Sequence, residues 1–265
     1  MPVIDRGGVP LFWSETGQGP PVLLIMGHRY SSAMWYPVIE DLSDRYRLIA
    51  FDNRGSGQSG SRPRTSIAEL TSDALAVLDA AGVDNAHVYG VSMGGGIALE
   101  FAIRNPHRTR SVILGCTTAK TEVSPARAKW MTSLVYRLPM PVLKALSGRR
   151  GHGYGDAAES QAIARDQAIL AADPFTVSGV IAQSHAIADY AVDAADVGAL
   201  KPPALVLHGT QDQAVPYAAG RRLADMIPGA RLVTFEGAGH NYFIAARAEA
   251  NAAVDAFIRE VESAR

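Results

Sequence analysis

The chain has 265 residues, 48% of them hydrophobic, and 25 Lys and Arg against 26 Asp and Glu leave a net charge of −1. That is enough for one large domain, or one domain with an insertion, around a substantial core. The charge balance excludes a basic nucleic-acid or membrane footprint, and Cys116 as the single cysteine excludes a disulfide framework and fits a reducing compartment.

The opening Met-Pro-Val-Ile-Asp-Arg-Gly-Gly has no apolar core of a secretory signal, and no apolar run has the length of a membrane span. A cytoplasmic protein that binds neither nucleic acid nor membrane is expected. In "VIDRGGVPLFW" a Gly7-Gly8 turn separates two apolar runs, which predicts an antiparallel hairpin at a sheet edge. Residues 22–26 form a short continuous apolar run, and 48–51, 88–91, 112–114, 204–207 and 232–235 repeat it. Runs of strand length that do not alternate read as strands buried on both faces, the mark of a parallel sheet. Helical patterns lie between them. Trp35, Val38, Ile39 and Leu42 fall at i, i+3, i+4 and i+7. Ser66 and Glu69 make a capping box that opens a helix to Ala81, with Gly82 as its left-handed stop. Val254, Phe257, Ile258 and Val261 repeat the helical spacing near the end.

The alternation breaks between about 121 and 196, where Ala-rich helical segments and the glycine-rich "SGRRGHGYGD" take over. The expected fold is α/β: a mostly parallel sheet with helices on both faces and an N-terminal antiparallel hairpin. A helical insertion over 121–195 separates a core of 1–120 and 196–265. Residues 151–155 read as a mobile loop.

The run 88–91 ends in Gly90 and Val91, which with Ser92, Met93 and Gly94 make a G-x-S-x-G in the context strand, sharp turn, helix. A serine on such a turn is strained, its neighbours two residues away must be tiny, and its hydroxyl emerges at a helix N-terminus. A serine nucleophile needs a base, and the base needs an orienting acid. Asp212 follows the run 204–207 and His240 follows 232–235, so both fall at the sheet edge where open α/β sheets place their sites. Asp225 and Glu236 are weaker rivals for the acid. His208 reads as structural and close to the site. His87, His107, His152 and His185 read as surface or packing residues, and Cys116 as a small buried hydrophobe. The G-x-G-x-x-G at Gly55, Gly57 and Gly60 is followed by Pro63 rather than by a helix, so a nicotinamide or flavin site is not expected; neither a cofactor nor a metal is.

With "GVSMGG", "DNRGSGQS", "GTQDQAVP" and "GAGH" in place, the chain resembles the α/β-hydrolase family over nearly its whole length. The resemblance implies Ser92 as nucleophile, His240 as base, Asp212 as acid and 121–195 as a lid. One oxyanion donor is the N–H of Met93. The other comes from the loop after the first parallel strand, where family members usually carry His-Gly. Here the pair is Met26-Gly27, and His28 falls on the donor position, so its backbone N–H is expected to serve. Its side chain either lines the pocket or points to solvent or the lid. Arg29 reads more readily as solvated or paired than as a substrate ligand. Trp130, Met131, Leu134, Leu138, Met140 and Leu143 either present apolar surface to a small organic substrate or only pack the lid. The expected activity is hydrolysis of an ester, lactone or thioester through an acyl-enzyme. Carbon–carbon hydrolysis, cofactor-free perhydrolysis and a non-catalytic binding role are the alternatives.

Overall fold

The structure is a computed structural model that describes residues 2–120, 124–135 and 153–265. Its strands are β1 (Val3–Asp5), β2 (Pro10–Thr16), β3 (Pro21–Ile25), β4 (Arg47–Phe51), β5 (Ala86–Val91), β6 (Thr109–Gly115), β7 (Ala204–Gly209) and β8 (Arg231–Phe235). They form one sheet in the order β1-β2-β4-β3-β5-β6-β7-β8. β1 pairs antiparallel with β2, and β2 with β4, while β3 to β8 run parallel.

The non-alternating runs are strands, and all but 232–235 are buried on both faces; β8 is the sheet's edge, where Thr234 is exposed and Leu232 and Val233 are half-buried. In β3, Leu23 and Ile25 enter one core and Val22 and Leu24 the other. The first core is closed by α2 (Ile67–Ala80), α3 (Met93–Arg104) and α8 (Tyr217–Met226), through Leu70, Val77, Ile97, Phe101 and Leu223. The second is closed by α1 (Tyr36–Leu42) and α9 (Arg247–Ser263), through Val38, Leu42, Val254, Phe257 and Ile258. Each such side chain, fully buried, contributes roughly 1.5–3 kcal/mol.

Local signals act where expected, with one difference. Gly7 and Gly8 take positive φ (64° and 82°) in the β1–β2 turn. Ser66 Oγ accepts the Glu69 N–H at 3.1 Å, and Gly82 stops α2 at φ 65°. The reciprocal half of the capping box is redirected: the Glu69 carboxylate accepts from Thr65 Oγ1 at 3.0 Å and from buried Arg54. A guanidinium is a stronger donor to a carboxylate than a backbone amide.

Between β6 and β7 lie α4 (Pro125–Val135), α5 (Ser160–Ala172), α6 (Val177–Asp189) and α7 (Ala194–Gly198). The described part of the expected mobile loop is pinned instead. Tyr154 O and Gly153 O accept the N–H groups of Gly239 and Asn241 at 2.8 and 2.6 Å, and Ala157 N–H donates to Gly237 O at 3.1 Å. Tyr154 is buried and its hydroxyl bonds Asp166, so the glycines here permit close approach to the loop after β8 rather than motion. No described helix is long and apolar enough to cross a membrane.

Candidate active site

Strand order reverses direction at β3 and β5, and the loops leaving the C-terminal ends of β3, β5, β6, β7 and β8 meet there. They carry Gly27 to Arg29, Ser92, Cys116, Asp212 and His240 respectively. This is the switch point at which open α/β sheets form crevices.

Ser92 sits between β5 and α3 at φ 58°, ψ −120°, a conformation that costs of order 1–3 kcal/mol for a residue with a Cβ. The flanking glycines make it attainable. A Cβ on Gly90 would lie 2.0 Å from Gly94 O, and one on Gly94 would lie 2.0 Å from Ile25 O. The turn is held by Ser92 N–H to Gly115 O at 2.8 Å and by Thr117 Oγ1 to Ser92 O at 2.8 Å. The Ser92 side chain does not cap α3, so its hydroxyl is left for other work. Met93 opens α3, and its N–H has no acceptor within the helix.

Asp212 follows β7 and its carboxylate is saturated. Oδ1 accepts the N–H groups of Ala214 and Val215 at 2.8 and 2.9 Å. Oδ2 lies 2.8 Å from His240 Nδ1 and 3.2 Å from His208 Nε2. Burial works toward protonation, but the bonds from His208 and His240 outweigh it and hold the carboxyl well below the usual carboxylate range. A carboxylate on Nδ1 places the imidazole proton there, so neutral His240 presents a bare Nε2. Burial opposes the imidazolium, yet the Asp212 carboxylate on Nδ1 raises the His240 pKa above the ordinary value.

Cys116 is fully buried, and its Sγ lies 4.0 Å from His240 Nε2. Burial pushes the thiol up, so it stays protonated. It is small and buried as the sequence predicts, but its position against His240 is not apparent from the sequence. Its place directly after β6, on the same sheet edge, is the one available signal. Among the described residues Ser92 Oγ has no hydrogen-bond partner, and serine–histidine contacts are commonly long before substrate binds. Cys116, Asp212 and His240 each offer a ligand atom within 4.8 Å of the others, but the Asp212 oxygens already accept four donors.

Gly27 stands over Ser92: a Cβ there would lie 3.2 Å from Ser92 Cβ and 3.8 Å from Oγ. Asn53 Nδ2 donates to Met26 O at 2.9 Å and fixes the start of this loop. The His28 imidazole is held by α6, with Nε2 3.1 Å from Val180 O and 2.8 Å from Ser184 Oγ. Burial lowers its pKa to about 4, so it is neutral. Arg29 has φ 75°, its N–H donates to Gln183 Oε1 at 2.8 Å, and its guanidinium stacks 5.0 Å from the Tyr30 ring and 5.4 Å from Phe175.

His208 belongs to the site as a second donor to Asp212. Glu236 accepts from Thr210 Oγ1 and Asp225 lies on α8, so neither is the partner of His240. His87 is a packing residue bonded to Ser111 and Glu262, and His107 is exposed. The Gly55–Gly60 loop is tied to Asp52, which accepts from Ser32 and Gln58, so it is structural. Trp130 and Leu134 are exposed by 65% and 50%. Leu138, Met140, Leu143 and His152 lie outside the described residues, as does the side chain of Met131.

Residues 20–246 match the family model for the alpha/beta hydrolase fold. A 2-hydroxymuconate semialdehyde hydrolase of Pseudomonas putida is 32% identical over 235 residues, 85% of this chain and 82% of its own. A putative carbamate hydrolase RutD of Azorhizobium caulinodans is 41% identical over 116 residues, a match that spans 43% of each chain. The enol-lactonase structure from Burkholderia xenovorans LB400 superposes with a TM-score of 0.85 at 27% identity, covering 97% of this chain and 100% of that one.

Proposed function

The chain belongs to the α/β-hydrolase fold family and is a hydrolase; on that footing we propose that it cleaves a carboxylic ester, lactone or thioester through an acyl-enzyme on Ser92. The observation that carries the reading is the 2.8 Å bond from His240 Nδ1 to an Asp212 carboxylate held ionised, beside a serine at φ 58°. His240 Nε2 takes the hydroxyl proton as Ser92 Oγ attacks the carbonyl carbon. Asp212 keeps the imidazole in the productive tautomer and stabilises the imidazolium. The negative charge on the carbonyl oxygen meets the N–H groups of Met93 and His28. Collapse of the tetrahedral intermediate breaks the bond to the leaving alcohol or thiol, which takes its proton from His240. Water, activated by His240, then attacks the acyl carbon and frees Ser92.

The helices of 121–195 act as a lid in this reading. What supports it is that α6 bonds to the 28–29 loop and that residues 153–157 pair with the loop carrying His240. Trp130, Met131 and Met140 are offered as apolar surface for a small-molecule substrate. Arg29 is not, because its guanidinium is stacked on Phe175 and Tyr30. A panel of aryl esters, lactones and acyl thioesters, with Ser92→Ala as control, tests the proposal. Turnover of some member by the wild type alone supports it, and equal turnover by the variant overturns it.

Carbon–carbon hydrolysis on the same three residues is the second reading. The 32% identical relative named a 2-hydroxymuconate semialdehyde hydrolase favours adding such a semialdehyde to the panel.

A further inference from the structure

We propose that Gln183, on α6, is a positioning residue for the oxyanion loop; this rests on the reading of the His28 N–H as an oxyanion donor. Gln183 is fully buried, and its amide joins three segments. Oε1 accepts the Arg29 N–H at 2.8 Å, and Nε2 donates to Arg54 O at 2.9 Å and to Ser56 Oγ at 3.0 Å. Among neutral side chains a primary amide is the one that supplies an acceptor and two donors together.

The Arg29 bond is the consequential one. Arg29 stands at φ 75°, where a residue with a Cβ is strained and needs its surroundings to hold it. The nitrogen that Gln183 holds belongs to the peptide joining His28 to Arg29, one residue beyond the His28 N–H. The same helix holds the His28 ring, through Val180 O and Ser184 Oγ, three residues before and one after Gln183. At the other end of the loop Asn53 holds Met26 O. The His28 amide is therefore fixed from both sides, and α6 supplies one of them.

Two glycines bring α6 close enough for Gln183 to reach. A Cβ on Gly55 would lie 2.6 Å from Gly179 Cα, and one on Gly179 would lie 2.4 Å from Gly55 Cα. The oxyanion site is complete only when α6 is seated on the loops after β3 and β4.

The test compares wild type, Gln183→Met, Gln183→Glu and Ser56→Ala, each normalised to sites titrated with a fluorophosphonate. It reads kcat and KM for an aryl ester, and Ki for an aryl trifluoromethyl ketone, whose serine adduct carries an oxyanion. Gln183→Met loses the Arg29 bond, and kcat should fall about 10- to 100-fold with KM within about threefold, because a small displacement of an oxyanion donor costs that much. Ki should weaken by the same factor. Gln183→Glu keeps the acceptor for the Arg29 N–H but sets a carboxylate oxygen against Arg54 O, so it should recover only part of both. Ser56→Ala removes a different bond of Gln183 and should leave kcat and Ki near wild type. Wild-type kcat and Ki in Gln183→Met overturn the inference, as does a loss in Ser56→Ala equal to that in Gln183→Met. So does a fall in kcat with Ki unchanged, which would mark a merely structural role. An α-hydroxy acid incorporated at position 28 removes only the His28 N–H and separates the two readings. If it leaves kcat unchanged, the oxyanion reading itself fails. If it lowers kcat while Gln183→Met does not, only the role of Gln183 fails.

Discussion

His208 Nε2 lies 3.2 Å from Asp212 Oδ2, the same oxygen that holds His240 Nδ1 at 2.8 Å. Nε2 also lies 2.9 Å from Val215 O, and two acceptors around one nitrogen require it to carry the proton. Nδ1 is buried and without a hydrogen-bond partner, pressed on Gly220, where a Cβ would stand 2.1 Å away. The ring is held so that Nε2 faces the Asp212 carboxylate. His208→Ala should keep the fold and lower kcat/KM about tenfold, since one of four bonds that orient Asp212 is lost. Steady-state kinetics with an aryl ester checks this. A loss as complete as that of Ser92→Ala would make His208 part of the reacting set, and an unchanged kcat/KM would make its bond to Asp212 irrelevant to rate.

The pH profile follows from His240. In the proposed mechanism His240 must be neutral to take the serine proton, and the Asp212 carboxylate raises its pKa above the ordinary histidine value. Activity is therefore present above the raised pKa and lost as pH falls through it. The acid limb of kcat/KM should have a midpoint above about 6.5. Asp212 stays ionised throughout that window because its own pKa is depressed, so it adds no second limb. Asp212→Asn should lower kcat by about four orders of magnitude. A wild-type midpoint below about 6 would contradict this assignment.

Cys116 Sγ lies 4.0 Å from His240 Nε2, yet burial holds the thiol protonated. Cys116→Ala should retain kcat within about threefold, because a neutral buried thiol contributes little more than volume. A loss above about 100-fold, with labelling of Ser92 intact, would move the nucleophile from Ser92 to Cys116.

Asp73 and Arg54 are a stability matter. Both are buried, and Asp73 accepts two Arg54 N–H groups at 2.6 Å each. Arg54 follows β4 in the loop on which α6 rests. Asp73→Ala leaves a buried guanidinium with Glu69 as its remaining partner and should cost about 3 kcal/mol in urea unfolding. Specific activity per folded molecule should be unchanged. A cost below about 1 kcal/mol would mean that Arg54 finds another partner or reaches water.

The parallel strands, and the placement of Ser92, Asp212 and His240 in loops at one sheet edge, are legible in the sequence for local reasons. β3 is apolar at every position because both its faces are buried, and Ser92 announces itself through Gly90 and Gly94. What is not legible depends on contacts between segments far apart in the chain. Gln183 looks like an ordinary polar residue within "VIAQSHAIAD", and only the Gly55–Gly179 approach buries it. The glycine-rich stretch near 153 reads as loose, but those glycines let two backbones pair at the His240 loop. Glu69 leaves its expected capping partner because Arg54 arrives from another loop.

Intact-mass analysis after treatment with a fluorophosphonate tests the central claim most directly. The wild type should gain one phosphonyl adduct, mapped to Ser92 by peptide sequencing, with loss of all turnover, while Ser92→Ala gains none. An adduct on Ser92→Ala, or residual turnover in fully labelled wild type, would contradict the assignment of Ser92 as the nucleophile.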